Sequence, residues 1–379
     1  MLKSKKIFII AGEQSGDTHA ANLIRELSAY YDIKAFGTGG ARLRALGQEQ
    51  YYDINDLSVI GLDGILKKLP FFFKVRDVLL EKISEIKPDA VILVDYPGFN
   101  LRFAKKLEGS GIPVIYFIAP QVWAWNYKRV KTIRKCVDLL LCILPFEEEI
   151  FRKEGINARF IGNPVVDHLE CRYADRESFF RAAGLDPDKK TIGILPGSRR
   201  KEVETLLPVM LAAADSLKDK YQFIISKAES VSGELLASVM KRRDYRVAAL
   251  TADIMKHTDL VWVCSGTASL ETAVSGTPMV ILYKVGGLTA FIGRLLLKIK
   301  FIGLPNLVAG KAIVPEAVQD DANVFKLLDY TEKVFASYDS VKEEVEKVGR
   351  LFHGLNPSQK GAEIIADFLE RGEQGASLK

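Results

Sequence analysis

The stretch Ala90-Val91-Ile92-Leu93-Val94-Asp95-Tyr96-Pro97-Gly98-Phe99-Asn100 decides the fold. Five apolar residues without alternation describe a strand covered on both faces, as in a parallel sheet. An acidic residue closes the strand, and Pro97-Gly98 turns the chain sharply away. The same pattern recurs in both directions. Residues 6–11, 34–37, 113–118 and 139–143 read as further buried strands, with helical segments such as 77–86 and 126–136 between them. Strand alternating with helix makes a doubly wound α/β domain. After Asn163-Pro164 the rhythm lapses through the polar segment 170–190. It resumes with Thr191–Leu195, Gln222–Ser226, 247–250, 260–263 and 279–282. A chain of 379 residues exceeds one ordinary core. The expected architecture is two successive doubly wound, Rossmann-like α/β domains.

Hydrophobic residues at 48% and charged residues at 27% exclude disordered and fibrous classes. The apolar run 7–11 is too short for a signal peptide, and Arg294, Lys298 and Lys300 interrupt the run 288–304, so a cytoplasmic protein is expected. Cys136, Cys142, Cys171 and Cys264 form no C-x-x-C pair and read as buried reduced thiols. His19, His168, His257 and His353 are scattered, so no metal site is expected. The net charge is +5, and its placement is more telling than its size. Lys67, Lys68, Lys74 and Arg76 surround Leu69-Pro70-Phe71-Phe72-Phe73. Arg294, Lys298 and Lys300 thread through Phe291, Leu295, Leu296, Leu297 and Phe301. Basic residues among bulky apolar ones suit an anionic bilayer surface. No nucleic-acid-binding motif accompanies them.

Ligands of doubly wound sheets bind where strands end, which directs attention to the following loops. Gly12-Glu13-Gln14-Ser15-Gly16-Asp17 either presents helix amides to a ligand or is a tight turn capped by Asp17. Asp95 either reaches a cleft or organises its own turn. Trp123 and Trp125 stand two apart in a loop and suit core packing or a wall for a sugar or acyl chain. In the second half, Pro196-Gly197-Ser198-Arg199 suits a diphosphate through amides, helix dipole and guanidinium. Ser265-Gly266-Thr267 opens another helix, with Glu271 one turn in, where a carboxylate can accept from both ribose hydroxyls. The pair of loops reads as a nucleotide site. Neither a Walker loop nor G-x-G-x-x-G is present, which disfavours ATP and nicotinamide dinucleotides. Asp186-Pro187-Asp188 reads as an ordinary turn rather than a metal-binding pair.

In this order GEQSGD (12–17), DYPGFN (95–100), APQVWAW (119–125), LPFE (144–147), IGNP (161–164), LPGSR (195–199), SGTASLE (265–271) and LPNLVAG (304–310) resemble the lipid-A-disaccharide synthases, glycosyltransferases of GT-B architecture. Gly98 stands where that family commonly has a second aspartate, and Gln121 where it has serine. The resemblance implies two Rossmann-like domains facing a cleft: 1–168 on the acceptor side with a membrane-facing patch, 169–345 binding the nucleotide-sugar, and a C-terminal segment 346–379 packing back on the first. Asn356 and Pro357 start a helix there, with Ile364, Ile365, Phe368 and Leu369 as its apolar stripe. It also implies transfer of 2,3-diacylglucosamine from UDP to 2,3-diacylglucosamine 1-phosphate (lipid X), giving a β-1,6 disaccharide 1-phosphate without metal or cofactor. The enzyme would work at the cytoplasmic face of the inner membrane, and a homodimer is compatible with the pattern. Asp95 would be the general base with Glu13 next in line, and Ser15, Asp17, Trp123 and Trp125 would contact substrate. Ser198, Arg199, Ser265, Gly266, Thr267 and Asn306 would hold the diphosphate and Glu271 the ribose. The competing readings are another UDP-sugar enzyme of this architecture, such as the peptidoglycan glycosyltransferase or UDP-N-acetylglucosamine 2-epimerase, and an inactive lipid-binding protein.

Overall fold

The computed structural model describes residues 2–57, 62–241, 243–286 and 300–377, with the backbone alone for 62–69, 168 and 373–377. The unbroken apolar runs become the centres of two sheets. Among the described residues the first holds β1 (Ser4–Ala11), β2 (Asp32–Gly39), β3 (Glu49–Asp53), β4 (Ala90–Val94), β5 (Val114–Phe117), β6 (Leu139–Cys142) and β7 (Ala158–Phe160), in the order β3-β2-β1-β4-β5-β6-β7. The second holds β8 (Thr191–Leu195), β9 (Gln222–Ser226), β10 (Arg246–Ala248), β11 (Leu260–Cys264), β12 (Met279–Tyr283) and β13 (Glu316–Val318), in the order β10-β9-β8-β11-β12-β13. The pairings are parallel throughout. Strands β3, β7 and β13 escape the sequence reading because they are sheet edges. Their partly exposed EQYYD, ARF and EAV lack a continuous apolar run.

Strand β1 shows why continuous hydrophobicity was required. Ile7, Ile9 and Ala11 enter one buried cluster and Phe8 and Ile10 another, on opposite faces of the sheet. The first cluster includes Leu23 and Leu27 of the helix Gln14–Leu27, and Ala362, Ile365, Ala366 and Leu369 of the helix Pro357–Ser377. Burying Ile365 and Leu369 contributes about 1.5–3 kcal/mol each. Asn356 caps the latter helix, its Oδ1 accepting from the Gln359 amide at 3.0 Å.

The chain forms two compact units, Met1–Pro164 with Leu355–Lys379, and Val165–Gly354. Residues 346–354, which finish the helix Tyr338–Arg350 and its exit turn, thus go with the second unit. The helix expected over 77–86 is longer, Leu62–Ile86, and continues through Pro70. It carries the triple phenylalanine, and only part of that run is surface. Phe71 and Phe72 are half-buried and pack edge-on against Tyr52 and near Phe99, whereas Phe73 is 46% exposed. A helix cannot present three consecutive side chains on one face, and the core took two of them. The other basic-apolar run, with Phe291, Arg294, Leu295, Leu296, Leu297 and Lys298, lies outside the described residues, as do the side chains of Lys67, Lys68 and Leu69. Among the described residues no helix is long and apolar enough to cross a membrane. Cys171 is exposed, contrary to expectation, while Cys136, Cys142 and Cys264 are buried.

Candidate active site

In each sheet the strand order reverses at one place, β1/β4 and β8/β11, which opens a crevice at the carboxyl ends of those strands. In the first unit Ala11 pairs with Val94, so Gly12-Glu13 and Asp95 leave the sheet side by side. Glycine is required at 12 because a Cβ there would strike the Tyr96 ring. Asp95 and Tyr96 both adopt left-handed backbone, with φ of 44 and 46. Such conformations cost about 1–3 kcal/mol each and persist only when the surroundings enforce them. Here the Asp95 amide donates to the Phe117 carbonyl at 2.9 Å. The Asp95 carbonyl accepts from the Tyr116 hydroxyl at 2.5 Å and from Asn100 Nδ2 at 2.8 Å. Asn100 and Tyr116 were not singled out in the sequence, because nothing in a linear pattern tells that a buried polar group points at a particular carbonyl. The result is a fixed carboxyl whose pKa is pushed up to about 6, first by burial and then by the charge of Glu13, against the opposing Tyr96 amide.

Beside Asp95 lies a cavity of about 450 Å³, walled by Phe72, Phe73, Tyr96, Phe99, Phe103 and Trp125 and reached by Glu13 and several arginines. Trp125 is 43% exposed, with the Arg129 guanidinium 4.4 Å over its ring. Trp123 is elsewhere. Its indole N–H donates to Glu147 Oε1 at 2.9 Å and its ring meets the Phe146 ring at 4.9 Å. Buried Glu147 also accepts from the amides of Ile143 and Leu144, and burial pushes its pKa up to about 7. Trp123 therefore anchors the loop that presents Trp125 and does not line the cavity. Asp17 does not line the cavity either. It is fully buried, and its two oxygens accept from the amides of Gly40, Arg42 and Leu43 at 2.7, 3.0 and 3.2 Å. Both of its oxygens thus brace the start of the helix Ala41–Ala45. Ser15 is exposed in the first turn of its helix and does not line the cavity, whereas exposed Glu13 does.

In the second unit Leu195 pairs with Val263, so the loops after β8 and β11 also emerge together. They enclose about 330 Å³ lined by Ser198, Arg199, Ser265, Gly266, Thr267 and Glu271. Burial raises the Glu271 pKa to about 7. Gly266 at φ 144 allows the chain to enter the helix Thr267–Val274, whose first amides lack intrahelical partners. One feature differs from the sequence reading. Glu202 Oε2 accepts from the amides of Ser198 and Arg199 at 3.0 and 3.1 Å, and its Oε1 from the Arg199 guanidinium at 3.3 Å. Those two amides are thus capped from within, which leaves the 83% exposed Arg199 side chain and the Thr267 helix terminus to meet an anion. Asn306 is also spent internally: it is buried, its Nδ2 donates to Val314 O and Glu316 Oε1, and its Oδ1 accepts from the Ile313 and Val314 amides. It braces the turn after the helix Leu304–Ala309 and does not line the cavity.

Cys171, Asp253 and His257 bring a thiol, a carboxylate and an imidazole within 4.8 Å of one another. Asp253 already accepts from the Arg172 and Tyr173 amides, and His257 Nε2 faces the Tyr173 carbonyl at 3.1 Å, so the cluster pins that segment. Asp186 Oδ1 accepts from the Asp188 amide at 3.0 Å, which is turn chemistry.

Three comparisons with known proteins bear on this geometry. Among solved structures, the glycosyltransferase of kitacinnamycin superposes with TM-score 0.62 at 14% identity, over 98% of this chain and 99% of that one. The UDP-GlcNAc 2-epimerase from Neisseria meningitidis bound to UDP-GlcNAc gives 0.61 at 14%, over 98% and 100%. At such identity these share the two-domain fold of GT-B glycosyltransferases and no more. Sequence relatives are far nearer. Lipid-A-disaccharide synthase of Myxococcus xanthus (strain DK1622) is 39% identical over 98% of this chain and its own full length. That of Syntrophus aciditrophicus (strain SB) is 38% identical over 96% of this chain and 98% of its own. The family model for lipid-A-disaccharide synthetase matches residues 7–363, and with those relatives it shows that this chain belongs to the lipid-A-disaccharide synthase family.

Proposed function

We propose that this enzyme moves a 2,3-diacylglucosamine from its UDP carrier to 2,3-diacylglucosamine 1-phosphate by a single inverting displacement, with Asp95 as base. The observation that carries the reading is a carboxyl with pKa about 6 on a turn whose next residue, Tyr96, lines an apolar cavity. A general base works best when its pKa lies near the operating pH. Asp95 takes the proton of the acceptor 6-hydroxyl as that oxygen attacks the anomeric carbon of the donor. The bond to the UDP oxygen breaks, and its electron pair leaves with the diphosphate. Arg199 and the amides at the start of the Thr267 helix offset the charge that grows there. Glu271, set one turn into that helix, accepts from the ribose hydroxyls. Glu13 tunes Asp95 through its charge.

The acylated substrates reach the enzyme from a membrane, and we place the contact at Phe73 with its neighbours Lys74 and Arg76, on the cytoplasmic leaflet. Phe73 and Lys74 are exposed side by side, and the half-buried Arg76 guanidinium lies 5.0 Å over the Phe73 ring. Mass spectrometry of products from acylated donor and acceptor tests the reaction. A tetraacyl disaccharide 1-phosphate with stoichiometric UDP is expected. Release of UDP, or of an epimerised sugar, without any acceptor would overturn it.

A further inference from the structure

The large cavity of the first unit carries more positive charge than its neighbours neutralise. Arg76, Arg102 and Arg129 all line it. Arg76 is accounted for, since Asp77 holds it at 2.7 Å. Arg102 and Arg129 have no carboxylate partner among the described residues. The Arg129 guanidinium carbon lies 4.4 Å from the centre of the Trp125 ring, a cation–π contact that uses none of its N–H donors. Burial first, and then the charge of Arg102, lower the pKa of Arg129, so the pair already repels across the cavity. The cavity's acid, Glu13, acts on Asp95 and Tyr96. Two neighbouring guanidiniums that no carboxylate pairs among the described residues, in a cavity whose one lining acid is Glu13 and whose walls include Phe99, Phe103 and Trp125, describe a site for an anion attached to an apolar body.

We propose that Arg102 and Arg129 clamp the phosphomonoester headgroup of the acylated acceptor. The inference deepens the function proposed above and rests on it for the identity of the molecule that bears the phosphate. A phosphomonoester carries about −1.5 to −2 at pH 7 and offers three acceptor oxygens, which match two guanidinium forks. The placement also gives a positional logic. Arg102 stands on the helix Pro97–Leu107, which begins at the Asp95-Tyr96 turn. From Pro97 to Arg102 the helix climbs five residues at about 1.5 Å each, roughly 7.5 Å, and Asp95 stands just before it in the left-handed turn. One hexose can span that separation, its 6-hydroxyl at Asp95 and its 1-phosphate at the arginines. The helix thereby measures the acceptor and selects which hydroxyl meets the base.

The test is calorimetric titration of the intact enzyme with three probes: a short-chain 2,3-diacylglucosamine 1-phosphate, the same molecule with a free 1-hydroxyl, and inorganic phosphate. Wild type should prefer the phosphorylated lipid by about 100-fold, the order expected for two charge-assisted contacts. R102Q/R129Q should reduce that preference to about 3-fold or less while UDP affinity stays unchanged. R102K/R129K, which keeps the charge but not the fork, should fall between them and guards against a folding artefact. An undiminished preference in the glutamine variant, or equal weakening toward both lipids, would overturn the clamp. So would inorganic phosphate binding as tightly as the phosphorylated lipid, because the site would then belong to the free ion. These readouts need no turnover. An enzyme that discriminates as expected yet makes no disaccharide would sink the proposed reaction and leave the clamp standing.

Discussion

Replacing Asp95 with asparagine should make the protein a worse enzyme and a more stable one. The carboxyl sits at about 6 against an ordinary value of 3.8, chiefly because of burial. At 1.36 kcal/mol per unit, the ionised native state carries a ceiling of about 3 kcal/mol of destabilisation, which partial exposure reduces to about 1–2. The sign follows from which state binds the proton. Below about pH 4 Asp95 is protonated whether folded or unfolded, and wild type and D95N should be equally stable. Between about 4 and 6 the unfolded chain ionises first, so wild type loses ground to D95N. Above 6 the gap should stay constant. Asparagine keeps the backbone contacts to Phe117, Tyr116 and Asn100, all of which use main-chain atoms of residue 95. It cannot accept the acceptor's proton, so turnover should fall by about 10² to 10⁴. Urea melts at pH 4 and pH 8, beside turnover at saturating donor, provide the assay. Activity within a few-fold of wild type, or D95N less stable at pH 8, would refute the assignment of a desolvated base.

Four further outcomes follow from the same geometry. Wild-type kcat/KM should rise with pH to a plateau with an apparent pKa near 6, measured between pH 5 and 8.5 at fixed ionic strength; a flat profile would count against Asp95. Phe73→Ser should weaken co-sedimentation with anionic vesicles and leave Tm unchanged, whereas Phe72→Ser, at a half-buried site packed near Phe99, should lower Tm in thermal scans. Arg199→Ala should cost roughly 10²–10³ in turnover without lowering stability, because its guanidinium is exposed and its native partner Glu202 is retained by two amides. Glu271→Gln should weaken UDP binding by about 10- to 100-fold in titrations, the scale of charge-assisted bonds to the ribose.

The fold was legible wherever both faces of a strand are buried, because burial writes an unbroken apolar run that survives reading without coordinates. Edge strands β3, β7 and β13 write no such run. The loops at the carboxyl ends of the strands were legible for a related reason. A glycine or an acid directly after a buried strand marks the strand's carboxyl end, and Asp95, Arg199, Thr267 and Glu271 were found that way. Asp17 and Asn306 stand in equally suggestive motifs but satisfy backbone amides, and a motif does not distinguish a side chain that braces a loop from one that meets a ligand. Arg102 and Arg129 were not singled out, since their meaning depends on the missing counter-charge around them. That is a property of three-dimensional neighbours and not of spacing.

The helix Pro357–Ser377 completes the first unit from the far end of the chain, and this dictates the order of events on the ribosome. When residue 164 has been made, Ile7, Ile9, Ile115 and Leu141 still lack the Ile365 and Leu369 that share their cluster. At 5–20 residues per second, synthesis of residues 165–354 delays that helix by roughly 10–40 s. The second unit has no such debt and can fold while the first waits with an apolar face open to chaperones or to neighbouring chains. A nonsense codon just before Pro357 should therefore yield a folded second unit tethered to an aggregation-prone first one.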